Sequence, residues 1–204
     1  MSGAAPKRVL LASNNRHKLI EFRRILGGSI VVVGAEEARI ALQVDETGAT
    51  MAENARIKAL AFAAETDMAA IADDSGLEVD ALSGAPGVHS SRFEGLGSDA
   101  ARNRRLLELL DGVPAAERTA RFRCAVVVVR GAEVIFETQA TCEGAIAKRA
   151  GGQAGFGYDP IFVPNGLRQT FAEMGAEAKD RSSHRARALR SLRSFVEESG
   201  ELLA

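Results

Sequence analysis

Asp73 and Asp74 stand side by side at the end of a short apolar run, Met68-Ala69-Ala70-Ile71-Ala72, and Ser75-Gly76 follow them. An apolar run of that length reads as a buried strand that delivers its last residues to an edge. Two like charges are costly to bury side by side without a cation or a basic partner. Successive strand residues point to opposite faces, so both carboxylates meet one ligand only where the backbone bends, and Ser75-Gly76 is read as that bend. For an arbitrary Asp-Asp pair a solvated polar turn is the favoured reading. The polar segments elsewhere in this chain shift the balance toward a divalent metal site, with one carboxylate binding Mg2+ and its neighbour supporting it.

Four other segments carry chemistry-bearing side chains. Ser13-Asn14-Asn15-Arg16-His17-Lys18 lies between a strand pattern and a helix pattern, where helix N–H groups and a lysine can receive phosphate. Taken alone it reads better as a helix cap with Lys18 on a solvated face, and it lacks the glycines of a Walker A loop. Asp45-Glu46-Thr47-Gly48 is an acidic turn that either complements the next helix dipole or offers another oxygen to the metal, two readings of equal weight. The glycine-rich stretch from Gly151 to Pro160 lets the backbone approach something closely, with Phe156 or Tyr158 as a stacking surface and Asp159 as an acceptor. By itself it is more safely a flexible connection with one buried aromatic. Lys179, Arg181, His184, Arg185, Arg187 and Arg190 crowd the start of the last helix. Most of these cations read as a solvated face, but a Ser-His-Arg sequence at a positive dipole end would be relieved by an anionic or carbonyl-bearing ligand.

The elements that position these residues follow from apolar spacing. Arg8–Ala12 and Ser29–Val33 read as strands around a helix carrying Leu19, Phe22, Ile25 and Leu26. Met51–Thr66 reads as a helix with Glu53 and Lys58 exposed, Leu77–Leu82 as an alternating strand after the Ser-Gly turn, and Glu36–Ala41 as ambiguous. Ser98 caps a helix through Leu110. Arg118–Arg130, with Val126 to Val129 at its centre, reads as a central strand, and Gly131-Ala132 turns it into an antiparallel partner, Glu133–Cys142. Glu143–Ala147 is another strand or a bend in the same one. Glu177–Leu203 reads as one closing helix with Leu189, Leu192, Phe195 and Val196 on its apolar stripe.

The totals exclude several classes. With 26 basic and 27 acidic residues among 204, the formal charge of -1 gives no general argument for a nucleic acid or anionic membrane partner. Cys124 and Cys142 lack metal-ligand spacing and read as structural thiols in a reducing compartment. The short polar N-terminus and the absence of a run of about 18 apolar residues lead to the expectation of a cytoplasmic protein. With no repeat or linker, residues 1–204 are expected to form one domain with two lobes.

Five segments occur in an order that is more specific than any one of them: Ser13–Lys18, Ala72–Leu77, Pro86-Gly87-Val88-His89-Ser90-Ser91-Arg92-Phe93, Gly155–Pro160 and Ser183-His184-Arg185. Together they resemble the inosine triphosphate pyrophosphatase family, over Val9 to about Leu192. The resemblance implies an α/β fold, elongated and two-lobed, around a mixed, curved β-sheet flanked by helices, usually dimeric, with the nucleotide in the cleft. It also implies Mg2+-dependent hydrolysis of ITP, dITP and XTP to the monophosphate and pyrophosphate. Carried over by position, Ser13, Asn14, Asn15, Arg16, His17 and Lys18 hold the triphosphate, with Asn15 and Lys18 the main contacts. Asp74 is the metal-associated general base, and Ser75 contacts substrate. Phe156 stacks on the purine within Phe156-Gly157-Tyr158, and Asp159, Lys179, Ser183, His184 and Arg185 read the base. The acidic metal ligand before the second helix falls on Asp45 or Glu46, with Glu46 preferred. Two rivals stand beside this expectation: a pyrophosphatase for pyrimidine or modified nucleotides like the septum-formation inhibitor family, and a nucleotide-binding sensor without turnover.

Overall fold

Val9, Leu10 and Leu11 are fully buried, and this apolar run forms the first strand, β1 (Lys7–Leu11), in the computed structural model, which describes residues 7–28 and 30–199. Helix α1 (Arg16–Leu26) follows, turning Phe22 and Leu26 inward, and β2 (Ile30–Val33) lies parallel to β1 with Val9 opposite Val32. The expected start of that second strand, Ser29, lies outside the described residues. The ambiguous Glu36–Ala41 stretch forms turns and leads into an irregular segment ahead of α2 (Met51–Ala63). A reciprocal capping box starts α2: Thr50 Oγ1 accepts from the Glu53 N–H, and the Glu53 carboxylate accepts from the Thr50 N–H.

The third strand, β3 (Ala69–Val79), departs from expectation. It runs unbroken for 11 residues through Asp73-Asp74-Ser75-Gly76, so there is no bend at Ser75-Gly76, and the two short strands read from the sequence are one. A Ser-Gly pair turns a chain where its backbone groups can reach water. Here Ile71, Ala72, Leu77 and Val79 are all fully buried, and leaving the sheet would orphan buried N–H and C=O groups. The strand ends at Val79, and Asp80–Leu82 is a single 3-10 turn.

Ser98 accepts from the Ala101 N–H and caps α3 (Asp99–Leu109). The valine run lies in β4 (Thr119–Arg130), and the turn at Gly131-Ala132 leads into β5 (Glu133–Ile146), which absorbs Glu143–Ile146 as part of one strand. A two-residue connection permits only antiparallel pairing. Gly144 makes room for the antiparallel strand β6 (Phe162–Pro164), because a Cβ there would press on the Val163 carbonyl and the Phe162 ring. The short helices α4 (Phe171–Met174) and α5 (Ala176–Ser182) precede α6 (His184–Ser199). The single closing helix read from Glu177 is therefore two, broken at Ser183, whose ψ of 155° is extended. Its expected end at Leu203 lies outside the described residues.

The sheet order is β2-β1-β3-β4-β5-β6. Because β2 and β3 are both parallel to β1 and flank it, the winding direction reverses at β1. The chain forms two compact units: one comprises residues 1–74, 125–139 and 188–204, the other residues 75–124 and 140–187. In the first, Phe22, Phe62 and Val126 to Val129 are buried, and the Phe136 and Phe195 rings meet at 4.8 Å. In the second, Phe122, Phe162 and Phe171 pack ring on ring with Leu77, Leu106, Leu110 and Tyr158. Cys124 and Cys142 are buried free thiols. No helix among the described residues is long and apolar enough to cross a membrane.

Candidate active site

Asp73 and Asp74 are both buried at the midpoint of β3, and each is met by a lysine from a different helix. Lys18, on the first turn of α1, places Nζ 3.0 Å from Asp73 Oδ1 and also donates to the Asp73 carbonyl at 3.2 Å. Lys58, on α2, lies 3.6 Å from Asp74 Oδ1 and 2.6 Å from Glu46 Oε1. Asn54, one helical turn before Lys58, donates to Asp74 Oδ2 at 3.2 Å, and its own carbonyl oxygen accepts from the Gly48 N–H at 2.8 Å. Gly48 is required there, since a Cβ would run into Glu53 and Asn54.

Lys58 was expected on an exposed face and is buried. The Ala-rich sequence of α2 has little apolar contrast between its faces, so composition did not mark the inward side. The signal that would have found it is spacing: Asn54 and Lys58 are four residues apart and share one helix face, opposite the Asp-Asp pair. Burial raises the Asp74 pKa, Lys58 lowers it and Glu46 raises it again, and the outcome is a carboxyl above its ordinary range. Burial pulls the Lys58 ammonium the other way, but Asp74, Asp73 and Glu46 outweigh it and hold the lysine charged.

Of the two acidic candidates before α2, Glu46 is the half-buried one whose carboxylate reaches this cluster, while Asp45 is exposed. Around Ser13–Lys18 the capping geometry is explicit. Asn15 Oδ1 accepts from the N–H groups of His17 and Lys18, and Ser13 Oγ accepts from the Asn15 N–H. Asn14 donates to the Leu42 carbonyl at 2.9 Å and so ties this turn to the irregular segment before α2. Arg16 pairs with Glu36 on the surface, and His17 is exposed.

The second unit gathers the remaining candidates. Lys179 and Asp159 form a buried ion pair at 2.6 Å. Asp159 Oδ2 also accepts from the Phe156 N–H at 2.9 Å, and a Cβ at Gly155, where φ is +78°, would press on that same carboxylate. The close approach inferred for this glycine-rich loop is thus made to the protein's own Asp159. Phe156 is half-buried, with Lys179 Nζ 4.8 Å and Arg185 Cζ 5.4 Å from its ring centroid. Cations over an aromatic face are attracted by its quadrupole. Arg185 is 2% exposed and donates to Ser75 Oγ at 2.9 Å. The His184 ring stacks on Phe122 at 4.6 Å, and Ser183 Oγ accepts from the Ala186 N–H as the cap of α6. Tyr158 is in the hydrophobic core with its hydroxyl donating to the Ser90 carbonyl, so of the two aromatic candidates Phe156 is the one beside the cations. Gly157 sits between them with φ of +63°.

What the first cluster can do chemically follows from its donors. Among the described residues no group of three or more His, Cys, Asp or Glu side chains is arranged to hold a metal ion. Glu46 and Asp74 nevertheless bring two hard oxygen donors to one ammonium, and Mg2+ takes one or two carboxylates with substrate phosphates and waters completing its shell. The residues present fit such an ion.

Strand order, a pair of buried carboxylates on β3 and an aromatic with two cations close to its ring together describe an α/β nucleotide-handling protein. The match to the Ham1 family spans residues 9–195, and the chain belongs to that family. It is 46% identical over 187 residues to a dITP/XTP pyrophosphatase of Desulforamulus reducens, covering 90% of this chain and 92% of that protein. Identity is 49% over 184 residues with the protein of the same name from Gloeobacter violaceus, covering 90% and 91%. Among solved structures, the Staphylococcus aureus Ham1 protein superposes with a TM-score of 0.82 at 38% identity, covering 95% of this chain and all of that one. The Mycobacterium abscessus nucleoside-triphosphatase, or dITP/XTP pyrophosphatase, gives 0.71 at 43% identity, covering 91% and 98%.

Proposed function

We propose that this chain hydrolyses the non-canonical purine nucleoside triphosphates dITP, ITP and XTP to the nucleoside monophosphate and pyrophosphate, clearing them from the nucleotide pool. The observation that carries the reading is the charge cluster of buried Asp73, Asp74 and Lys58 with half-buried Glu46 and Lys18, in a chain 46–49% identical to relatives named for this activity.

Asp74 orients the water that attacks the α-phosphorus and accepts its proton. A carboxyl raised above its ordinary range by burial suits a general base. Asn54 holds one Asp74 oxygen in place, leaving the other directed at Lys58. Lys18 neutralises charge on the departing pyrophosphate, as phosphoryl transfer demands positioning and charge compensation more than covalent chemistry. Mg2+ held by Asp74 and Glu46 would supply further charge neutralisation and a more acidic water. Ser13, Asn14, Arg16 and His17 complete the phosphate-binding turn that Asn15 caps, with Ser75 contacting the substrate beyond it.

Base choice is a matter of donors. Hypoxanthine and xanthine present a 6-oxo acceptor to Lys179, His184 and Arg185, whereas the 6-amino group of adenine leaves a buried donor unpaired. That mismatch is worth about one to two decades of discrimination. Asp159 fixes Lys179, Ser183 caps the helix carrying the other two, and Phe156-Gly157-Tyr158 supplies the stacking ring. A cytoplasmic homodimer acting as one functional domain completes the proposal, supported by the five-segment resemblance and by a family match that runs through both units.

Pyrophosphate release from a panel of triphosphates, with and without Mg2+, tests the reading. Preference for dITP, ITP and XTP with loss of turnover on chelation is expected. Preference for pyrimidine nucleotides, or tight binding without turnover, would overturn it.

A further inference from the structure

Phe156 can serve as a stacking platform only as far as its backbone is fixed, and three consecutive peptide groups around it are each gripped by a different side chain. The peptide before Phe156 donates its N–H to Asp159 Oδ2 at 2.9 Å. The next, between Phe156 and Gly157, donates to Asp99 Oδ2 at 2.6 Å. The third, between Gly157 and Tyr158, accepts from Asn103 Nδ2 at 2.9 Å.

Two of these three grips come from α3. Asp99 and Asn103 are four residues apart, so they share one helix face and close on Gly157 together. Each is itself anchored. The other Asp99 oxygen pairs with Arg102, which also donates to the Leu96 carbonyl at 2.6 Å. Asn103 is buried, and Leu106 and Leu110 below it belong to the same core as Tyr158. Bonds to a carboxylate are about twice as strong as those between neutral groups, so the Asp99 grip is stiffer than loop closure alone requires. A glycine at φ of +63° adopts this conformation without strain and presents no side chain between α3 and the peptide.

We propose that Asp99 and Asn103 are positioning residues for purine selectivity: from α3 they set the ring plane of Phe156 relative to the Lys179 and Arg185 cations. A base stacked on that ring meets the donors in its own plane only if ring and cations keep their relative height. Tilting the ring displaces the 6-oxo group from its donors, and misplacement of about 1 Å costs on the order of a hundredfold where geometry decides the outcome. The proposal rests on Phe156 being the base platform.

The experiment is steady-state kinetics on ITP and ATP for Asn103→Leu, Phe156→Ala and the double variant, with thermal melts alongside. Asn103→Leu keeps the side-chain size and removes the donor. It is expected to raise KM for ITP and to erode the preference for ITP over ATP, each about fivefold, with kcat for ITP unchanged. In the Phe156→Ala background the same change is expected to have almost no effect on the preference, because the ring it orients is gone. A lowered melting temperature with KM and preference intact would overturn the proposal, and so would an undiminished effect without the ring. If Phe156→Ala alone leaves the preference untouched, the platform reading fails first and takes this inference with it. Should Asn103→Leu not fold, Asp99→Asn retains the shape while weakening the charge-assisted bond, and the same cycle decides.

Discussion

The two candidate clusters are built from opposite materials. In the first unit three carboxylates, Asp73, Asp74 and Glu46, face two ammonium groups, Lys18 and Lys58, all carried on or beside regular strands and helices. In the second, Asp159 pairs with Lys179 beneath a loop, and both Lys179 and Arg185 come within 5.4 Å of the centre of the Phe156 ring. An excess of buried negative charge suits a cation and the handling of water. A cluster of buried donors suits a carbonyl acceptor. The division of labour proposed here, phosphate chemistry in one cluster and base recognition in the other, predicts that substitutions in one leave the other's property intact.

The sharpest break is Asp74→Asn. Turnover of ITP is expected to fall about a thousandfold or more while nucleotide affinity and the ITP-over-ATP preference persist. A variant that retains near wild-type rate in a pyrophosphate-release assay would remove Asp74 from the mechanism. Next in size is Lys58→Met. Withdrawing one partner from a buried ion-pair cluster leaves uncompensated carboxylates and is expected to cost about 3–5 kcal/mol in urea unfolding. A loss below about 1 kcal/mol would place Lys58 with ordinary surface pairs. Arg185→Ala belongs to the other cluster and should erode the ITP-over-ATP preference about tenfold with little change in saturated ITP turnover. Equal losses on both substrates would count against a reading role.

The smallest expected effect separates stability from catalysis at one residue. Burial lifts the Asp74 pKa above its ordinary value of 3.8, so its protonated form binds the fold better than its ionised form. The stabilisation it contributes is complete below that ordinary value and is lost as pH rises through the raised one. Metal-free Asp74→Asn, which cannot ionise, should therefore melt above the wild type near neutral pH, with the gap closing in acid. A gap that widens in acid would contradict the sign. A residue that costs stability in the resting fold is a familiar mark of a working site.

Much of the frame was legible from residues alone. The apolar runs at Val9–Leu11 and Val126–Val129, the Ser98 cap and the Gly131-Ala132 turn act locally, so their meaning survives whatever packs around them. Ser75-Gly76 misled because a turn signal competes with burial. Only the tertiary structure shows that the apolar residues on both sides are buried and that lysines from two helices compensate the carboxylates. Asn15 reads in the sequence as either cap or phosphate contact, and its side-chain oxygen caps α1. The break at Ser183 was half legible: Ser183-His184-Arg185 reads as a helix start, and Ser183 Oγ does cap α6, but the residues from Glu177 were read into the same helix.

The sequence by itself determined the kinds of chemistry available: adjacent carboxylates on an apolar strand, a polar turn before a helix, an aromatic in a glycine-rich loop and a cationic helix start. Spacing along the chain also settled the family resemblance, because five segments in order need no coordinates to be recognised. Only the tertiary structure decided which charges meet. Lys58 belongs with Glu46 and Asp74, Phe156 lies beside the cations where Tyr158 does not, and Asp99 with Asn103 grips the peptide groups beside the ring. The physical reason is that these contacts join residues far apart in the chain, and periodicity along one segment carries no information about what another segment brings to it.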